Sequence, residues 1–376
     1  MKEMTKNKIA VLGAGMIGQT IAIDLSKYYD VTSFDISDKS LSLLRNKSNV
    51  KTVNTDLSKY HNYPEILKDF DYVVSAVPGF MGYKTLEAII NSKKDVVDIS
   101  FFPENCSGLS QLARNNNVTA IIDCGVAPGL SNLILGHLDT KMKINTFECL
   151  VGGLPKVRIK PFEYKAPFSP IDVIEEYIRP ARYVENGKIV IKPAMSDTQL
   201  VNFEEVGTLE SFNTDGLRSI VYTMSHIPNM KEKTLRYPGH IDLMKSLFSS
   251  GFLDNKPVNL NGQEISPMKF TSTVLFDKWK LNENDEEFTI MDIIASDNSK
   301  SINYRLYDEY DPKSKMSSMS RTTGYTCCAA VSLLTNGLWV EKGVVPPELI
   351  GRNEACFNHI ISYLNDRNIN FKIKTT

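Results

Sequence analysis

The chain has little of what staples a small protein or builds a metal centre. Its 376 residues include only six cysteines, five histidines and two tryptophans. Cys106, Cys124, Cys149, Cys327, Cys328 and Cys356 form no C-x-x-C pair and no zinc-like spacing with histidine, so no metal is expected. Several lie in apolar stretches, the setting of reduced and buried thiols, which points to a cytoplasmic protein without disulfides. No apolar run reaches membrane-spanning length, so no membrane association is expected. The first eight residues are polar and lead straight into a strand, so no signal peptide is expected. The formal net charge is −1, and no global field favours nucleic acid or an acidic membrane surface. No internal repeat or low-complexity tract interrupts the chain.

What remains is an ordinary globular composition, 42% apolar and 23% charged. The length suits two or three domains, each able to bury its own core. Apolar runs at 9–12, 31–34, 50–54, 72–76, 95–99 and 119–123 predict strands. Helical spacing over 16–28, 41–46, 63–68, 83–91 and 109–115 predicts the helices between them. Such alternation implies an α/β Rossmann domain, a doubly wound parallel sheet, over 1–138.

After residue 138 the pattern changes. A strand is predicted at 145–151, followed by Pro- and Lys-rich connections through 152–170. Strands at 188–192 and 288–295, with a helix near 244–248, predict an α+β domain over 139–320 with a mixed or antiparallel sheet. The stretch 316–334 becomes an apolar helix. Residues 321–376 are expected to form C-terminal helices packing back on the Rossmann domain.

The strongest motif is Gly13-Ala14-Gly15-Met16-Ile17-Gly18, which fits G-x-G-x-x-G between a predicted strand and a predicted helix. Gly13 permits the tight turn, Gly15 admits a pyrophosphate to the backbone, and Gly18 lets helix and strand pack closely. The helix N-terminus then offers N–H groups and partial positive charge to the phosphates. Asp35 ends the second predicted strand, where a carboxylate binds the adenosine ribose and repels a 2′-phosphate. The expected cofactor is therefore NAD. Ala76-Val77-Pro78-Gly79 and Asp98-Ile99-Ser100-Phe101 end two further strands and are expected to line the nicotinamide ribose. Asp56 either reaches the adenine or caps a helix.

Beyond the 13–18 turn, several segments resemble the saccharopine dehydrogenase-like family, and more narrowly its L-lysine 6-dehydrogenases. They are Asp98-Ile99-Ser100-Phe101-Phe102-Pro103-Glu104-Asn105 and Asp123-Cys124-Gly125-Val126-Ala127-Pro128-Gly129-Leu130-Ser131-Asn132. Val151-Gly152-Gly153-Leu154-Pro155 and Thr234-Leu235-Arg236-Tyr237-Pro238-Gly239-His240 continue the resemblance. Met319-Ser320-Arg321-Thr322-Thr323-Gly324 and Gly343-Val344-Val345-Pro346-Pro347-Glu348 complete it over nearly the whole chain. The resemblance implies oxidation of the lysine ε-amine by NAD, giving 2-aminoadipate 6-semialdehyde and ammonia. It also implies a second domain for substrate binding and dimerisation, and a homodimer. Saccharopine reductases resemble the chain here but carry an acidic residue where it has Ala127, which separates the branches.

Amine oxidation needs a base to activate water against an imine, and a cation for the carboxylate of the amino acid. Arg236 is the first choice for that carboxylate, since guanidinium binds it as a bidentate fork; the alternative is a strand-edge arginine in a surface ion pair. Arg218 is the second choice, with Asp215 holding an ammonium or orienting it. His240 and Glu104 are the candidate bases, alongside a bound water. Tyr164, Arg179 and Arg321 are further suggestions. Three readings follow: an amine dehydrogenase acting on lysine, a saccharopine- or carboxynorspermidine-type reductase joining a carbonyl compound to an amine, and a non-catalytic NAD sensor. In each the partner is a small molecule.

Overall fold

The computed structural model describes residues 6–282 and 285–376. Residues 1–5 of the polar N-terminus, on which part of the signal-peptide expectation rests, lie outside them. The chain divides into two compact units, Met1–Met142 with Ser320–Ile369, and Lys143–Met319 with Asn370–Thr376.

The first unit runs β1 (Lys8–Leu12), α1 (Met16–Ser26), β2 (Asp30–Asp35), α2 (Asp38–Lys47), β3 (Lys51–Asn54), α3 (Tyr63–Leu67), β4 (Tyr72–Ser75), α4 (Gly79–Asn91), β5 (Asp95–Asp98), α5 (Leu109–Asn115), β6 (Thr119–Ile121) and α6 (Leu130–Asp139). The second runs β7 (Thr146–Pro155), α7 (Pro170–Ile178), β8 (Ala181–Glu185), β9 (Lys188–Lys192), β10 (Gln199–Phe203), β11 (Gly207–Asn213), α8 (Ile220–Thr223), β12 (Asn229–Arg236), α9 (His240–Ser249), β13 (Val258–Leu260), β14 (Gln263–Ile265), α10 (Pro267–Trp279), β15 (Glu287–Ser296) and β16 (Ser301–Glu309). The chain ends with α11 (Ser318–Thr335), β17 (Gly343–Val345), α12 (Pro347–Gly351), α13 (Glu354–Asn365) and β18 (Phe371–Thr375).

The first sheet has the order β17-β6-β5-β4-β1-β2-β3, and every pair is parallel. This is the doubly wound sheet expected from the alternation. The central strand β1 is apolar from Ile9 to Leu12 and wholly buried there, because helices cover both faces of such a sheet. From β1 the chain winds outward through β2 and β3, then returns to build β4, β5 and β6 on the other side. The switch point, where ligands bind in open α/β sheets, therefore lies between β1 and β4.

The first turn of α4 was not expected, since the helical spacing begins only at residue 83. Gly79 and Gly82 are weak helix formers and mask it. The helix consequently starts directly at the end of β4, with Pro78 at its N-cap.

The second sheet is mixed. Its order is β10-β11-β12-β7-β15-β16-β18, with β8 on β12 and β9 on β8. Only β7 and β12 pair in parallel. Side chains of α7, α9 and α10, among them Ile174, Tyr177, Ile241, Met244 and Trp279, form one cluster with Leu150, Leu154, Leu235, Phe288 and Ile290 of the sheet. Each fully buried side chain of this kind contributes about 1.5–3 kcal/mol. The expected connection from residue 152 is corrected: β7 continues to Pro155. A Cβ at Gly152 would stand 2.8 Å from that of Leu235, so glycine there permits a close approach rather than a loop. The expectation of helices alone over 321–376 is also corrected. β17 joins the first sheet, and β18, alternating Phe371 and Ile373 with lysines, joins the second.

Among the described residues no helix is long and apolar enough to cross a membrane, and no His/Cys/Asp/Glu group could hold a metal ion. All six cysteines are free and buried.

Candidate dinucleotide site and a buried arginine cluster

The turn after β1 has the form its glycines predict. Gly13 adopts φ 107°, and a Cβ there would stand 2.3 Å from the carbonyl oxygen of Ala76 at the end of β4. The two strand ends at the switch point are thus in direct backbone contact. A Cβ on Gly18 would stand 2.1 Å from the Gly13 carbonyl oxygen, so α1 touches the turn it follows. Gly15, by contrast, has nothing within 4 Å of the corresponding position. It is the N-cap of α1, and no side chain caps that helix. Two glycines are therefore required by the protein itself, and the third faces open space at a helix N-terminus, where a phosphate fits. Ala14 is buried in the turn, Met16 is exposed and Ile17 is partly buried.

Asp35 closes the other side. Its carboxylate accepts the Ala14 N–H at 2.7 Å through one oxygen and the Ser37 N–H at 2.7 Å through the other. Charge-assisted bonds of this kind fix its orientation beside the glycine turn and leave acceptor capacity on both oxygens. Asp38 receives a hydrogen bond from Asn54 at 2.9 Å, which adds a second carboxylate nearby. Asp56 lies further along, beyond β3. Its carboxylate accepts the Ser58 N–H at 3.0 Å and the Ser58 hydroxyl at 2.6 Å, and these bonds lower its pKa. That is a local turn, closer to the capping alternative than to an adenine contact.

Ala76, Val77, Pro78 and Gly79 connect β4 to α4 at the switch point. One strand further, Ser100 is buried and Phe101 partly buried after β5. Glu104 lies on an exposed loop beyond them. Asp98, expected with Ser100 and Phe101 to line the nicotinamide ribose, is fully buried at the end of β5. Its carboxylate accepts the Ser100 N–H at 2.9 Å and the Ser100 hydroxyl at 3.1 Å. The signal was present as an Asp-x-Ser turn at a strand end.

In the second unit, Arg236 and His240 do meet, but inside the protein's own network. The Arg236 guanidinium donates to Glu176 at 2.7 Å, to the Tyr177 hydroxyl at 2.9 Å and to the Leu235 carbonyl at 3.0 Å. It lies 4.5 Å above the Tyr164 ring. Each of its three nitrogens thus has a partner, and the ion pair is buried rather than the surface pair given as the alternative to a free fork. His240 takes up the Tyr177 hydroxyl at Nε2, 2.9 Å away, and stands 2.8 Å from the Phe162 carbonyl through Nδ1. The carbonyl requires a proton on Nδ1, so Nε2 accepts and the ring is neutral. Burial, with Arg236 close by, pushes its pKa down to about 3. The expectation of a base titrating near neutrality is corrected accordingly. Asp215 is likewise engaged: both oxygens receive Arg182, at 2.8 and 2.7 Å. This replaces the expected ammonium or Arg218. Arg218 is buried in the same loop at φ 55°. Glu176 and Tyr177 on α7 and Arg182 on β8 lie in a stretch, 171–187, for which the sequence pattern predicts no element.

Matches to known proteins agree with this architecture. Residues 9–121 match the saccharopine dehydrogenase NADP binding domain, and residues 125–369 match the saccharopine dehydrogenase C-terminal domain. The mitochondrial alpha-aminoadipic semialdehyde synthase of Rattus norvegicus is 25% identical over 281 residues, 70% of this chain and 30% of that protein. The saccharopine dehydrogenase [NADP(+), L-glutamate-forming] of Saccharomyces cerevisiae is 24% identical over 265 residues, 66% of this chain and 59% of that protein. The chain thus matches about a third of the length of the first relative. The solved apo structure of the L-Glu-forming saccharopine dehydrogenase from Saccharomyces cerevisiae superposes with a TM-score of 0.78 at 19% identity, over 98% of this chain and all of that one. The likeness is one of fold.

Proposed function

Because the chain belongs to the saccharopine dehydrogenase family, we propose that it is a nicotinamide-dependent oxidoreductase acting at an amine-bearing carbon of a lysine-type substrate. The cofactor in this reading is NAD. The observation that carries it is the Asp35 carboxylate, pinned by Ala14 and Ser37 beside the open Gly15. A fixed anion there accepts the two hydroxyls of an unmodified ribose and repels a 2′-phosphate. The matched family domain is described as NADP binding, and the preference for NAD rests on Asp35 alone.

The reaction we assign is the lysine 6-dehydrogenase form. The bound dinucleotide would accept a hydride from the carbon bearing the ε-amine. The protein must hold the neutral amine in place and then deliver water to the resulting imine, releasing ammonia and 2-aminoadipate 6-semialdehyde. With His240 neutral and buried, Glu104 on its exposed loop and a bound water remain the candidates for that proton transfer. A cytoplasmic homodimer belongs to the same reading, and sedimentation of the purified protein tests the dimer.

Purified protein given NAD and L-lysine is expected to produce absorbance at 340 nm, with NADP a poor substitute. No NADH above background between pH 7 and pH 10 would overturn the lysine form. A saccharopine-type reaction is the second reading, favoured by the activities named for the matched relatives. Ala127 weighs against it. NADH oxidation that requires an aldehyde and an amine together would decide for it.

A further inference from the structure

Asp98 is a carboxylate buried where the fold gains nothing from a charge. It lies at the end of β5, fully shielded from solvent. Around it are the Ser75 hydroxyl from β4, 3.3 Å from that of Ser100, and the backbone of Cys124, whose N–H donates to the Asp98 carbonyl at 3.0 Å. The titratable groups that face it are Asp123 and Cys124 after β6 and Cys327 on α11. None of these is a cation. Its donors are the Ser75 hydroxyl of β4 and the N–H and hydroxyl of Ser100, and the two from Ser100 tie the strand end to the start of the loop that follows.

That loop has a defined place along the dinucleotide. In the dinucleotide reading Asp35 would hold the adenosine ribose at β2, and the glycine turn would hold the pyrophosphate at β1. The rest of the cofactor must then extend over β4 and β5, toward Ser100 and Phe101. A carboxylate accepts hydrogen bonds roughly twice as strongly as a neutral carboxyl. The loop is therefore held more tightly when Asp98 is charged.

We propose that Asp98 is a positioning residue whose carboxylate holds Ser100, at the start of the loop after β5, against the strand end, shaping the nicotinamide side of the site, and whose protonation loosens that hold. The inference rests on the dinucleotide reading above. Burial, reinforced by Asp123, pushes Asp98 up to about 7, so the latch changes state within the neutral range. Cofactor affinity should be high above that pH and fall below it.

The test is NADH binding by the full chain, followed by nicotinamide fluorescence from pH 5.5 to pH 8.5, for the wild type, Asp98→Asn and Ser100→Ala. Asparagine keeps an acceptor for the Ser100 N–H but cannot ionise. Wild-type affinity is expected to fall about fivefold or more across the range, the scale of one charge-assisted hydrogen bond. Asp98→Asn should be flat and close to the weak, low-pH level. Ser100→Ala removes a bond that lowers the Asp98 pKa, so its midpoint should move up. A wild-type pH profile in Asp98→Asn overturns the proposal. If that variant does not fold, an unmoved midpoint in Ser100→Ala overturns it. A wild type that binds neither NADH nor NADPH at any pH overturns the dinucleotide reading itself.

Discussion

The backbone N–H of Ala14 donates to the Asp35 carboxylate at 2.7 Å. The bond links the glycine turn to the end of β2, so one residue both braces the turn and faces the ribose. Asp35→Ser should lower NAD affinity and raise the NADP-to-NAD ratio of kcat/KM by about tenfold or more, a change of about 1.4 kcal/mol in discrimination. Kinetics with both cofactors measure it. An unchanged ratio would remove the basis for preferring NAD.

Gly15 and Gly18 separate binding from stability. Alanine at 15 meets no protein atom within 4 Å, so melting should be unaffected while dinucleotide binding weakens. Alanine at 18 would press on the Gly13 carbonyl and push α1 away. Overpacking of this sort costs about 1–3 kcal/mol, so Gly18→Ala should lose both melting temperature and binding. Equal melting behaviour in the two variants would contradict the division of roles.

Strands β1–β6 of the first sheet were legible because most are short apolar runs set between stretches of helical spacing, whereas β17, far along the chain, was not. Asp35 and the 13–18 turn were legible because their chemistry depends on local order along the chain. The second unit was legible only in part: β9, β15, the start of β7, the middle of α9 and the mixed sheet were expected, the rest was not. Its central strand β7 carries two glycines and ends in proline, which together look like a loop until Leu235 is seen packed on Gly152. Arg236 and His240 stand four residues apart in the sequence, expected first as a carboxylate clamp and a base. Their partners, Glu176, Tyr177 and Phe162, are 60 to 78 residues away for the first and last, a distance no local pattern spans. Asp98 was visible only as part of a strand end, because burial is what makes a carboxylate unusual.

Arg236 and Glu176 form an ion pair that is almost wholly inaccessible on the arginine side. Removing one partner of a buried pair leaves the other uncompensated, at about 3–5 kcal/mol. Glu176→Ala should therefore lower the melting temperature sharply. Arg236→Lys keeps the charge but loses the fork to Glu176 and Tyr177, so it should destabilise as well. In either variant the KM for the amine substrate should stay within about threefold for the folded fraction, since the loss is structural. A large rise in KM at unchanged melting temperature would restore the carboxylate-clamp role instead.

His240 makes a pH prediction with a definite sign. Its pKa falls from 6.5 to about 3 on folding, so the unfolded chain binds the extra proton first. The stability it contributes is intact above pH 6.5 and is lost as pH falls toward 3. His240→Asn, which can still donate to the Phe162 carbonyl, should be less stable than the wild type at pH 7.5 and lose less on acidification to pH 4.5. Urea unfolding at the two pH values measures the difference. The imidazole C–H resonances of His240 should not titrate between pH 5 and pH 9, and a midpoint near 6.5 would contradict the neutral assignment.

Asp98 carries the opposite sign, and it separates a latch from a merely structural turn. Its pKa rises from 3.8 to about 7 on folding, so the folded chain holds the proton more tightly. Stability should fall as pH rises from about 4 to about 7, and the penalty is complete above that. Asp98→Asn removes the penalty and should be more stable than the wild type at pH 8, by something on the order of a few kcal/mol, with little gain at pH 4. The same variant should bind the dinucleotide less well at pH 8. Stability gained and affinity lost in one substitution is what a charge retained for function produces, whereas a structural turn would lose both. Thermal melts and NADH titrations at pH 4.5 and pH 8 on a single preparation read the two effects together. A destabilised Asp98→Asn at pH 8 would show that burial of the charge is already compensated and that the turn is structural.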